Sequence, residues 1–79
     1  MYESEYEIAG RKIVLKALTV REGAKFVFDI SEDAKRADAV IALIDATLKK
    51  SGVENDFPLG SIGELSKAVL NVNGLDKNA

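Results

Sequence analysis

From Gly10 to Glu22 the chain reads GRKIVLKALTVRE, and its apolar period changes from two to helical at Thr19. Before that point Ile13 and Leu15 alternate with Lys12, Val14 and Lys16, while Tyr6 and Ile8 alternate with Glu5 and Glu7. Such alternation marks two half-buried strands. Taking Gly10-Arg11 as a two-residue type II′ turn, with Gly10 supplying the positive φ, sets the register. Ile8 then faces Ile13, Tyr6 faces Leu15 and Glu5 faces Lys16, with the charge pair on the opposite face from the apolar pairs. A lone hairpin is barely stable in water, so its apolar face must lie on helices.

Thr19-x-x-Glu22 fits a capping box, in which hydroxyl and carboxylate each satisfy a free backbone N–H. Val20, Ala24, Val27 and Phe28 recur at helical spacing, and Phe26 and Ile30 widen the apolar face. Gly23 costs this helix about 1 kcal/mol relative to Ala, and its missing side chain suits close packing against the hairpin. Ser31 reads as the cap of a second helix, with Glu32 and Asp33 in its first turn. Lys49, Lys50 and Gly52 suit its end.

The expected core stripe of the second helix is Ala37, Val40, Ile41, Ile44 and Leu48. Ala39, Ala42, Leu43 and Ala46 form a second, smaller apolar strip, so this helix is either central in the fold or in contact with another chain. Residues 53–60, VENDFPLG, make the one real loop, expected to be the most flexible element. Ser61-x-x-Glu64 is a second capping-box match, opening a helix with the stripe Ile62, Leu65, Val69 and Val72. Asn73-Gly74 ends it, and Leu75 to Ala79 is expected to fray. The expected fold is therefore α+β: a two-stranded antiparallel hairpin (about 5–17), then a three-helix domain (19–30, 32–50 and 61–73), in one domain spanning 1–79.

Composition narrows the chemistry. The 79 residues contain neither Cys nor His. Disulfides and thiolate metal sites are therefore excluded, and the usual transition-metal ligand and near-neutral general base are missing. A domain this small is only marginally stabilised by its own core, which leaves self-association or a partner as the route to extra stability. Thirteen acids and eleven bases are mixed along the chain, for a net charge of −2. No basic block exists to track a phosphate backbone, so nucleic acid is not an expected partner. Ala37 to Leu48 is too short and too interrupted by Asp38 and Asp45 to span a bilayer. MYESEYE lacks the order of a signal peptide, so a cytoplasmic location is expected.

Other constellations have plain explanations. Gly60-Ser61-Ile62-Gly63 superficially matches a phosphate clamp, but no Lys or Arg precedes it nearby and Glu54 and Asp56 repel anions. Asp29, Glu32 and Asp33 lack the spacing and Gly of a calcium loop. Asp38 and Asp45 read as ordinary helix-surface charge, Asp45 lying one i,i+4 step from Lys49. No Ser or Thr has a base positioned to activate it. The expectation is a protein that is not an enzyme, with no catalytic residue, metal or cofactor. An acyl-carrier domain is rejected, because Asp-Ser-Leu is absent and a starting hairpin is foreign to that fold.

The order hairpin, Leu18-Thr19-Val20-Arg21-Glu22, helix resembles the opening of the small tail assembly chaperones of long-tailed bacteriophages. The last helix around Leu65, Val69 and Leu70, followed by Val72-Asn73, is similar to the close of several such proteins. The coarse pattern runs over nearly the whole chain. The resemblance implies a non-catalytic protein of phage or prophage origin, acting in the cytoplasm of the bacterial host. It would bind the tape measure protein, and tail tube subunits as well, during tail assembly, and related genes often also yield a longer frameshifted product. A chaperone of this kind covers apolar helical surface on its client. Phe26, Ala39, Ala42, Leu43 and Ala46 are the candidate partner-binding residues, and also candidates for the protein's own core or for a homo-oligomer contact. A small regulatory module, antitoxin- or inhibitor-like, and a minor structural virion protein are the alternatives.

Overall fold

The computed structural model describes residues 3–75. It shows the expected α+β fold, a two-stranded antiparallel hairpin followed by three helices. The elements are β1 (Glu3–Ile8), β2 (Arg11–Lys16), α1 (Val20–Ile30), α2 (Arg36–Ser51), a 3-10 turn (Leu59–Ser61) and α3 (Ile62–Val72). Ile8, Ile13 and Leu15 of the hairpin meet Leu43, Ile44 and Leu48 of α2 and Leu65, Ala68, Val69 and Val72 of α3 in one core. Residues 76–79 of the expected fraying tail lie outside the described residues, whereas Leu75 packs against the core.

The hairpin turn is Ala9-Gly10, not Gly10-Arg11. Both residues have positive φ, 52° and 79°, the signature of a type I′ turn, whose twist matches that of the strands. Tyr6 therefore opposes Ile13 instead of Leu15, and Glu5 opposes Val14 instead of Lys16. The slip is two residues, one side-chain period, so Ile8, Ile13 and Leu15 still share the buried face. Left-handed backbone at Ala9 costs about 1–3 kcal/mol. The register it permits aligns two opposite-charge pairs, Glu3–Lys16 and Glu7–Lys12, against one in the expected register.

The capping box at Thr19 forms as expected. The Thr19 N–H donates to Glu22 Oε1 at 2.8 Å, and the Glu22 N–H donates to Thr19 Oγ1 at 3.3 Å. Glu22 also accepts from Lys50 Nζ at 2.7 Å, which ties the start of α1 to the end of α2. Gly23 is buried, and a Cβ there would meet Leu18 at 3.3 Å. The missing side chain thus sets the approach of α1 to the end of the hairpin.

The other two expected caps do not form. Ser31 closes α1, its hydroxyl donating to the Phe28 carbonyl at 2.7 Å, and α2 begins only at Arg36. A serine hydroxyl donates as readily as it accepts, so SED satisfied a start signal while serving a helix end. The intervening turn is bridged by Arg36, whose Nε donates to the Ile30 carbonyl at 3.0 Å. Ser61 is buried with no side-chain cap bond and a backbone at φ −88°, ψ 2°. An N-cap needs extended backbone, and the 3-10 turn running straight into α3 denies it.

Glycines end α2 and α3, as expected. Gly52 and Gly74 both have φ 73°. Val53 donates to the Leu48 carbonyl at 3.0 Å and Leu75 to the Leu70 carbonyl at 2.8 Å, the six-to-one bond of a Schellman motif. The loop after α2 is held at several points. Arg11 pairs with Asp56 at 2.6 Å and lies over the Phe57 ring at 4.4 Å, while Asn55 donates to Asp45 at 2.6 Å.

The buried face of α2 is rotated from the expected one. Ala39, Leu43, Ile44, Thr47 and Leu48 are buried, whereas Ala37 is exposed and Ile41 is 52% exposed. The cause is Thr47, fully buried although polar, which an aliphatic pattern passes over. In α3, Ile62 also falls outside the core.

Leu43→Glu is therefore expected to abolish the native fold, since it places a charge at a site 1% exposed. Ile41→Ser should change stability by no more than about 0.5 kcal/mol. Urea titration followed by circular dichroism separates the two. The Lys50 ammonium and the Thr19 N–H hold the Glu22 carboxyl below its ordinary value. A depressed acid stabilises the fold above its unfolded pKa and loses that contribution as the pH falls through the folded pKa. Glu22→Gln should thus be less stable than wild type near neutrality, with the difference shrinking once pH falls below 4.5 and gone below the lowered folded pKa.

Candidate docking groove

The apolar arc of α1 is wider than its neighbours cover. Gly23 is buried and Phe26 and Ile30 are half-buried toward the core. The expected packing stripe points the other way: Val20 is 83%, Phe28 71% and Val27 42% exposed. The residues read as widening the face are the packed ones. Val20, Ala24, Val27 and Phe28 instead form one wall of a groove of about 260 Å³. Leu18, Gly23 and Leu43 line its base, and Asn73 and Leu75 of the turn after α3 face α1 across it.

Asn73 makes this wall rigid. Its Oδ1 accepts from the Leu18 N–H at 2.7 Å, and its Nδ2 donates to Thr47 Oγ1 at 3.1 Å and to the Val69 carbonyl at 2.9 Å. One amide thereby joins the exit of the hairpin, α2 and α3. A second polar link runs alongside it. Ser51 Oγ accepts from the Lys16 N–H at 2.8 Å and donates to the Thr47 carbonyl at 2.7 Å.

The charge around the groove is uneven. Lys50 is held by Glu22, and Lys16 opposes Glu3 across the strands. Arg21 and Lys25, one helical turn apart beside Ala24 and Phe28, form no ion pair among the described residues. The apolar wall thus has a basic edge.

The five residues expected to bind a partner are not gathered on one surface. Ala39 and Leu43 are buried in the core, and of the five only Leu43 lines this groove. Phe26 packs against the core from α1. Ala42 and Ala46 are half-buried beside a separate shallow depression with Asp45, Lys49 and Asn55. The signal for the groove was in the sequence, in the number of apolar residues around α1. A short helix with so broad an arc, next to a buried Gly, has more apolar surface than one contact can cover.

Of Asp29, Glu32 and Asp33, the last two stand beside cationic side chains. Asp33 pairs with Arg36 at 3.1 Å and Glu32 lies 4.0 Å from Lys35. Among the described residues no group of three acidic side chains is placed to hold a metal ion, and no helix is long and apolar enough to cross a membrane. No family model matches the chain, and neither a curated protein nor a solved structure does.

Asn73→Ala should destabilise the fold by about 1–3 kcal/mol, because it strands the half-buried Leu18 N–H and the buried Thr47 hydroxyl. Asn73→Asp keeps the acceptor and loses both donated bonds, so it should be similarly unstable. Chemical denaturation of the two variants tests whether the donated bonds matter.

Proposed function

We propose that this chain is a non-catalytic assembly chaperone or adaptor of the long-tailed bacteriophage type. It binds an apolar helical segment of the tape measure protein, and tail tube subunits as well, in the host cytoplasm during tail assembly, and is then displaced. The observation that carries the reading is the uncovered apolar wall of α1, with Phe28 71% and Val20 83% exposed. Exposed aliphatic and aromatic side chains at helical spacing, beside a preformed groove, suit recognition of another helix. The order of hairpin, Leu-Thr-Val-x-Glu step and helices supports the same reading by its resemblance to that family. A groove lined by aliphatic side chains, with Asn73 already bonded at both ends of its amide, favours holding a client over transforming a substrate.

On this reading, co-expression with the tape measure protein of the same phage or prophage should yield a soluble complex. Phe28→Asp should weaken it by at least about tenfold, because a buried Phe contributes on the order of 1.5–3 kcal/mol. A client equally soluble alone, with no co-purification, would overturn the reading.

A further inference from the structure

We infer that the groove beside α1 receives an amphipathic helix whose apolar stripe is bordered by acidic residues, not a second copy of this chain. The inference rests on the chaperone reading only for the source of that helix. An extended segment is a poor occupant. The groove is lined by side chains, and the N–H groups of α1 beyond its first turn are engaged within the helix, so a strand would leave its own backbone unpaired. A helix satisfies its backbone internally and offers residues at i, i+3, i+4 and i+7 to Val20, Ala24, Val27 and Phe28.

The basic edge decides between partners. Arg21 is i−3 from Ala24 and Lys25 is i−3 from Phe28, so both cations stand along one side of the apolar wall. In a twofold antiparallel pairing of α1 with a second copy, the same edge of both helices lies together. Arg21 and Lys25 would then meet their own counterparts, four cations along one seam, and like charges at an interface oppose association. A parallel pairing would set the opposite edge against the second copy. That edge, with Gly23 and Ile30, already packs into this domain. A helix with Glu or Asp beside its apolar stripe instead supplies anions to these two side chains, which form no ion pair among the described residues.

Two designed peptides of about five helical turns test this, with identical leucine stripes bordered by Glu in one and Lys in the other. Fluorescence anisotropy with the full chain at low salt should show the Glu-edged peptide binding about tenfold tighter, a gap that narrows as salt screens it. The double variant Arg21→Glu, Lys25→Glu should reverse the preference with its circular dichroism unchanged, and Phe28→Asp should weaken both peptides. Equal binding, no binding, or a preference unmoved by the double variant would overturn the inference. So would a concentration-dependent dimer that Phe28→Asp disperses, which would assign the face to a second copy. If the peptide preference holds while the tape measure protein fails to co-purify, only the chaperone reading falls. Co-purification without any peptide preference would remove the acidic edge alone.

Discussion

The carboxamide of Asn73 is the interaction on which the arrangement of the hairpin's exit, α2 and α3 depends. Its oxygen holds the backbone where the hairpin ends, and its nitrogen reaches Thr47 in α2 and the Val69 carbonyl in α3. Leu15, Leu43, Leu48 and Val69 are fully buried in the aliphatic core, but hydrophobic association is non-directional. A bonded polar group inside the core is not. Thr47 pays the desolvation of its hydroxyl only because Asn73 meets it, and no buried side-chain nitrogen or oxygen among the described residues lacks a partner. The position of the turn after α3, and with it one wall of the groove, follows from that amide.

Features governed by local chemistry were legible in the sequence. The box at Thr19, the glycine ends of α2 and α3 and the period-two strands each depend on residues a few positions apart. What failed were signals with two physical meanings. Ser31 and Ser61 both precede acidic residues as N-caps do, yet one donates backward to Phe28 and the other sits in a 3-10 turn. The turn moved from Gly10-Arg11 to Ala9-Gly10 because the sum of cross-strand pairs, not one local preference, selects a register. Ala9 has no intrinsic liking for positive φ.

The candidate site was less legible than the fold for a related reason. Periodicity shows which residues share a face, not which of two faces turns inward. In α1 both halves of a broad apolar arc qualify, and Gly23 breaks the tie by letting the helix approach Leu18 closely. In α2 the choice hung on Thr47, whose partner lies 26 positions away. Long-range pairing of polar groups leaves no trace in a local pattern. Once Gly23 and Thr47 are placed, Val20 and Phe28 are left outside as a matter of geometry.

The link between Leu18 and Asn73 spans 55 positions. Loop-closure entropy must be lost before so distant a contact gives anything back. The hairpin and α1 leave the ribosome before the amide that fixes them, which follows Leu18 by 55 positions. Until α3 is synthesised, Ile13, Leu15 and the apolar arc of α1 have few places to hide. The nascent chain therefore passes through a stage in which it exposes more apolar surface than the finished protein does, and for that interval it is itself in need of protection.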